Sequence, residues 1–209
     1  MSRSRNNPYT STDPKTLEAK RRGYPARSVF KLEEIHKKTQ LLKHGMRVLD
    51  LGAAPGSWSI FASQRVGPTG RVLAVDLQEI SQGFAPNVQV LKGDAFDLQS
   101  EELSRFAPYD VVLSDMAPKT SGVKMRDQAM SFELFERALF VAKQLGKPRT
   151  SSFVAKIFMG PDFDEAISIA KKTFQKSRVV RPSGVRSASK EVFLVGQGLR
   201  EPFGWVQPC

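Results

Sequence analysis

From residue 46 onward, short apolar segments alternate with stretches of helical periodicity, and this alternation constrains the fold more than any other feature. The apolar segments are nearly continuous, which is typical of parallel strands that helices bury on both faces. The strands that the pattern predicts cover 46–51, 71–76, 88–92, 109–114, 152–157, 178–181 and 191–196. The helices that it predicts between them cover 57–66, 100–106, 128–145 and 162–174.

The last two predicted strands are joined by PSGVRSASK, a connection without a helical pattern. Parallel neighbours need a long crossover, usually a helix, whereas antiparallel neighbours can be joined directly. We therefore predict an α/β protein with a mostly parallel, seven-stranded sheet, an antiparallel hairpin at one edge that contains the last strand, and helices on both faces.

A polar and basic segment precedes this region. Asp13 followed by Pro14 is typical of the start of a helix. A basic helix is predicted from there to a break near Gly23 and Pro25, and a second helix is predicted over 27–39. We assign 1–12 to a disordered basic tail, 13–45 to N-terminal helices and 46–200 to the sheet core of a single domain that spans 13–209.

The charge of the chain indicates a polyanionic partner. Lysine and arginine number 32 against 21 acidic residues, which gives a net charge of +11. One cluster consists of Arg3, Arg5, Lys15, Lys20, Arg21, Arg22, Arg27 and Lys31, and a second of Arg178, Arg181, Arg186 and Lys190. This distribution favours RNA binding, and a merely solvated surface is the alternative.

The sequence gives little support for a membrane protein, a secreted protein or a metal site. No apolar run approaches the roughly 18–20 residues of a membrane span, and no signal peptide is visible. The single cysteine, Cys209, excludes an internal disulfide, and with only His36 and His44 no metal-ligand cluster is expected. Both histidines are predicted to lie at the surface, and the protein is expected to be a cytoplasmic monomer.

Charged residues follow the predicted parallel strands, where open α/β sheets bind their ligands. Asp50, Asp76, Asp94 and Asp115 stand at or just after the first four strand ends. Lys156 lies inside the apolar run SSFVAKIFMG, which is an awkward place for a surface lysine.

An antiparallel last strand starts at the edge where the parallel strands end. Glu191 is the first residue of that strand, so we expect it to lie near Asp115 and Lys156 although it is distant in sequence.

The loop GAAPGSW, residues 52–58, lacks the third glycine of a dinucleotide motif and the lysine of a P-loop. Its small residues permit close approach by a nucleoside without phosphates. Asp76, twenty positions beyond Gly56, suits ribose hydroxyls, and Asp94 could accept from an adenine amino group. S-adenosylmethionine fits this description.

Four segments in chain order, ARSVFKLEEI, LDLGAAPGSWS, SDMAP…SG and SKEVFLV, resemble the FtsJ family of ribose 2′-O-methyltransferases. The resemblance runs from about residue 15 to 200 and is strongest to the members that methylate a uridine of large-subunit ribosomal RNA. It implies a Rossmann-like fold and methyl transfer from S-adenosylmethionine to an RNA ribose.

The resemblance also implies roles for individual residues. The catalytic tetrad of the family falls on Lys31, Asp115, Lys156 and Glu191. The methyl-donor contacts fall on Gly56, Trp58, Asp76, Asp94 and Asp115. Lys156 is the candidate general base for the 2′-hydroxyl, a role that requires a neutral amine.

One position departs from the family pattern, and several alternatives stay open. Ser57 stands where the family usually has glycine, and a serine there can cap the following helix. Asp50 either caps the loop backbone or acts at the donor. The alternatives for the whole chain are a transfer-RNA enzyme, a catalytically silent RNA-binding assembly factor, which the intact tetrad argues against, and an NAD-dependent enzyme, which the missing glycine argues against.

Overall fold

The structure is a computed structural model that describes residues 13–96, 101–183 and 190–200. The strands are β1 (Arg47–Leu51), β2 (Arg71–Asp76), β3 (Val88–Lys92), β4 (Val111–Ser114), β5 (Ser152–Phe158), β6 (Phe174–Val180) and β7 (Glu191–Leu199). The helices are α1 (Pro14–Arg21), α2 (Val29–Thr39), α3 (Ser57–Val66), α4 (Glu101–Ser104), α5 (Lys124–Leu145) and α6 (Phe163–Thr173). The predicted tail and part of the β6–β7 connection lie outside the described residues.

One sheet contains all the strands named above, in the order β3-β2-β1-β4-β5-β7-β6. Strands β1 to β5 pair in parallel, and β7 pairs antiparallel with both β5 and β6. This confirms the predicted α/β class and the antiparallel last strand. The edge strand on this side is β6, because β7 lies between it and β5.

Two predicted element bounds differ clearly from the structure. Helix α5 begins at Lys124, a turn before the predicted 128, because the carboxylate of Asp127 accepts hydrogen bonds from the backbone N–H and hydroxyl of Ser121. Strand β6 begins at Phe174 rather than 178, directly after α6. The ring of Phe174 is buried and stacks on Phe153 at a centroid distance of 5.6 Å, which fixes this residue in the sheet.

The two faces of the sheet carry different helices. Phe153, Ala155 and Ile157 of β5 belong to the hydrophobic cluster that also contains Phe135 of α5 and Ala166 of α6. Val154, between them, belongs to the cluster on the other face, where α1, α2 and α3 pack. Because side chains alternate along a strand, Lys156 lies on the face of α2 and α3.

His36 contradicts the surface position predicted for it. It lies on the buried side of α2, 8% exposed, with its ring 5.8 Å from that of Phe61. Burial and the charge of Arg65 lower its pKa, so this histidine packs as a neutral ring. Within the described part of the chain, no helix is both long and apolar enough to cross a membrane.

The packing of β6 against β7 yields a stability prediction. A Cβ atom at Gly196 would lie 2.2 Å from the ring of Phe174. Gly196→Ala should therefore lower the free energy of unfolding, measured in urea, by about 1–3 kcal/mol, as overpacking does. Gly83→Ala is the matched control, because Gly83 is exposed and a Cβ there meets no atom within 4 Å. Equal stabilities of the two variants would contradict this account of the packing.

Candidate active site

Lys156 forms a buried ion pair at the carboxyl end of β5. Its Nζ lies 2.8 Å from Oδ1 of Asp115, the residue that follows β4, and also donates to the backbone carbonyl of Asp115. The side chains are 7% and 18% exposed. The pair forms because β4 and β5 are parallel neighbours, so their ends meet at one edge of the sheet.

A second ion pair joins helix α2 to the start of β7. Lys31 Nζ lies 2.5 Å from Oε1 of Glu191, and both side chains are largely buried. Phe193 connects the two pairs: it is the register partner of Lys156, and its ring centroid lies 5.8 Å from Lys31 Nζ. The structure thus brings the four predicted tetrad residues together on one face at one sheet edge.

Asp76 anchors the glycine loop to the end of β2. Its Oδ2 accepts from Ala54 N at 2.9 Å, and its Oδ1 accepts from Gln78 N at 2.8 Å. The sequence predicted a ribose contact for Asp76, and this structural role was missed because loop-backbone partners leave no residue pattern. A carboxylate has about four acceptor sites, so Asp76 retains capacity for further donors.

Protein atoms lie close to both glycines of the loop. Gly52 has φ +71°, and a Cβ there would lie 2.7 Å from the side chain of Met116. Gly56 has φ +109°, and a Cβ there would lie 2.8 Å from the ring of Phe84. The conformation and these contacts require glycine at both positions. The predicted contact of Gly56 with a donor stays a prediction, and Phe84 was not predicted at all.

Ser57 does not cap helix α3, which contradicts the role predicted from the sequence. Gly56 is the N-cap residue, and no side chain makes a capping bond there. The hydroxyl of Ser57 instead accepts from Ala26 N at 2.8 Å and donates to Ala26 O at 3.0 Å. Ser57 therefore attaches the start of α3 to the segment before α2.

Trp58 supports the same junction. Its Nε1 donates to Ser28 O at 2.9 Å, and its indole lies 5.6 Å from the ring of Phe193. Trp58 is 2% exposed, so it is a core residue between α2, α3 and β7. Its predicted contact with a methyl donor stays a prediction.

Asp50 is completely buried beneath the loop. Its Oδ2 accepts from the hydroxyl of Ser59 at 2.6 Å. Burial, the largest cause, and the charges of Asp115 and Asp76 raise the pKa of Asp50 to about 7, although the Ser59 hydrogen bond opposes the shift. The sequence left two roles open for Asp50, capping of the loop backbone or a role at the donor. The structure shows Asp50 bonded to the Ser59 hydroxyl and not to the loop backbone.

Asp94 is exposed and accepts from Phe96 N at 2.9 Å. The segment is held by Arg137 of α5, whose guanidinium donates to Ala95 O and Phe96 O and lies 4.9 Å from the ring centroid of Phe96. No sequence signal pointed to Arg137, because its partners are backbone carbonyls about forty residues away.

The family model described as FtsJ-like methyltransferase matches residues 24–199. The chain belongs to the FtsJ-like methyltransferase family. This confirms the resemblance found in the sequence and makes the protein a methyltransferase. The family match argues against the alternative that the protein is an NAD-dependent enzyme.

Individual FtsJ-like relatives cover almost the whole chain. A protein of Sorangium cellulosum named ribosomal RNA large subunit methyltransferase E is 55% identical over 196 residues, which are 94% of this chain and 92% of that protein. A protein of the same name from Oleidesulfovibrio alaskensis is 50% identical over 88% of this chain and 90% of that protein. The fold resembles a crystal structure of a ribosomal RNA methyltransferase from Plasmodium falciparum, with TM-score 0.75 and 23% identity over 86% of this chain and all of that one.

Proposed function

We propose that this protein transfers a methyl group from S-adenosylmethionine to a ribose 2′-hydroxyl of RNA, with a uridine of large-subunit (23S) ribosomal RNA as the substrate. The observation that carries the proposal is the buried Lys156–Asp115 pair, which lies at the same sheet edge as the Asp76-anchored loop. The names of the relatives support ribosomal RNA as the substrate class.

The described residues fit an adenosine-type donor. Asp76 retains acceptor capacity for ribose hydroxyls, and the exposed Asp94 is available to an adenine amino group. The three carboxyl-bearing residues Asp50, Asp76 and Asp115 interact electrostatically at this edge, which suits a cationic ligand. S-adenosylmethionine, when bound, supplies a methyl group on a positively charged sulfur.

Lys156 is proposed to accept the proton of the 2′-hydroxyl. Its side chain is 7% exposed and lies 2.8 Å from Oδ1 of Asp115, and only a neutral amine can take the proton. Two oxygen atoms of Asp115, the carboxylate Oδ1 and the backbone carbonyl oxygen, accept hydrogen bonds from Nζ of Lys156 and so orient it. The Lys31–Glu191 pair would position the ribose beside Lys156. Beyond proton removal, the chain contributes the alignment of the reacting atoms.

The RNA surface is proposed to include the exposed face of α1. Lys20, Arg21 and Arg22 are exposed, but Arg22 forms an ion pair with Glu33 and lies over the ring of Phe30 at 5.3 Å. Exposed lysine and arginine residues contact phosphates without reading sequence. Of the second cluster, Arg178, Arg181 and Lys190 are exposed, and Arg186 lies outside the described residues. We further propose that the protein acts as a cytoplasmic monomer.

Asp76→Ala should weaken binding of S-adenosylmethionine about tenfold or more, because hydrogen bonds to a charged group contribute roughly 1.5–3 kcal/mol. Titration calorimetry measures the change. Asp110→Ala is the matched control: Asp110 also accepts a backbone N–H, from Arg47 at 2.9 Å, but at the opposite edge of the sheet. If Asp76→Ala binds like the control, the donor lies elsewhere.

Lys156→Ala should lower the single-turnover rate by about 10²–10⁴-fold, the usual effect of losing a general base, with little change in donor affinity. Lys156→Arg should not restore the rate, because a guanidinium stays protonated. Lys147→Ala, on an exposed lysine paired with Asp110, is the control. A near-normal rate for Lys156→Arg would refute the base assignment.

Charge reversal of Lys20 and Arg21 together should weaken RNA binding and flatten the slope of log K against log salt by about 1–2, since each phosphate contact contributes roughly 0.7–0.9. Arg22 is left unchanged because it is paired with Glu33. The double reversal Lys171→Glu, Lys172→Glu on α6 is the control of equal charge on the other sheet face. Equal losses in filter binding for the two variants would rule out α1 as a specific RNA contact.

A further inference from the structure

The carboxyl group of Asp50 is enclosed by protein on all sides. It is the fourth residue of β1 and has no exposed surface. Its Oδ2 accepts from Ser59, whereas its Oδ1 has no hydrogen-bond partner. An ionised carboxylate here loses hydration that nothing replaces at Oδ1, so burial favours the protonated acid.

The groups that face Asp50 also oppose its ionisation. Helix α3 contributes only the neutral hydroxyl of Ser59, while Asp76 from the end of β2 and Asp115 from the end of β4 add negative charge. These carboxylates, together with the dominant effect of burial, raise the pKa of Asp50 to about 7.

The two lysine side chains of the site are bonded to carboxylates other than Asp50. Lys156 is bonded to Asp115, and Lys31 is paired with Glu191. Asp50 is therefore a buried carboxyl group whose charged neighbours, Asp76 and Asp115, are also acidic. It lies at the loop where the proposed function places a cationic donor. A positive charge brought to this loop offsets the negative charges and makes ionised Asp50 less unfavourable.

We propose that Asp50 holds a proton in the donor-free protein and releases it to the solvent when the positively charged sulfonium donor binds at the Gly52–Gly56 loop. The inference rests on the proposed function. Only the O–H bond of Asp50 breaks: the carboxyl oxygen keeps the electron pair, and the proton passes to the buffer. Donor binding thereby becomes linked to pH through a group that need not touch the reacting atoms.

Titration calorimetry of S-adenosylmethionine in two buffers with different ionisation enthalpies counts the released protons. We expect close to one proton per site at about pH 6, falling toward zero by about pH 9, and an association constant that rises up to about tenfold per pH unit below pH 7. S-adenosylhomocysteine, which lacks the methyl group and the sulfonium charge, should release fewer protons. Equal release by the two ligands would overturn the sulfonium as the trigger.

Asp50→Asn keeps the shape of the side chain and cannot ionise, so it should bind the donor without proton release. Undiminished release in this variant would assign the proton to another group and overturn the proposal. Absence of any donor binding to the wild-type protein would instead overturn the proposed function, so the two failures are distinguishable.

The wild-type protein alone supplies a measurement that does not depend on the variant folding. An infrared difference spectrum at pH 6 should show the C=O stretch of a buried protonated carboxyl disappearing when the donor is added. A spectrum without that loss would contradict the proposal. Before donor is added, the unfolding free energy of the wild type relative to Asp50→Asn should fall as pH rises from about 4 to about 7, because only the folded wild type retains the proton there.

Discussion

The bond between Nζ of Lys156 and Asp115 is the interaction on which the site depends. A buried amine that is 7% exposed is tolerated only when its hydrogen-bonding groups are satisfied, and Asp115 supplies two acceptors. Strands β4 and β5 must therefore lie side by side with their ends level. The parallel ladder from Val111–Ser152 to Ser114–Ala155 provides that alignment.

The reversed direction of β7 completes the same edge. Five parallel strands deliver their carboxyl ends to it, and an antiparallel strand delivers its first residue instead. Glu191 thus meets Lys31 across the buried face, with the ring of Phe193 between the helix and Lys156. A parallel β7 would place Glu191 at the opposite edge, so strand direction is as much a part of the site as residue type.

Apolar periodicity predicted the sheet, the antiparallel last strand and most element positions. It could do so because a buried strand appears in the sequence as a short run of consecutive apolar residues. It missed the first turn of α5 and the first half of β6, which depend on Asp127 with Ser121 and on Phe174 with Phe153. The tetrad positions came from motif resemblance, and the structure brings them together. The attachments made by Asp76, Ser57 and Arg137 use backbone partners, which leave no pattern in side-chain identity.

The bond between Ser57 and Ala26 makes the two positions unequal in the substitutions they tolerate. Position 26 contributes only main-chain atoms, so any residue that follows the same backbone path preserves the link. Position 57 contributes a side-chain hydroxyl, and a glycine there has no side chain to form the two hydrogen bonds with Ala26. In a chain with that glycine, the junction between α3 and the segment before α2 would retain the bonds from Trp58 to Ser28 and from Tyr24 to Gln64. Sequence variation at residue 57 would then alter how firmly the Gly52–Gly56 loop is attached to the helix that carries Lys31.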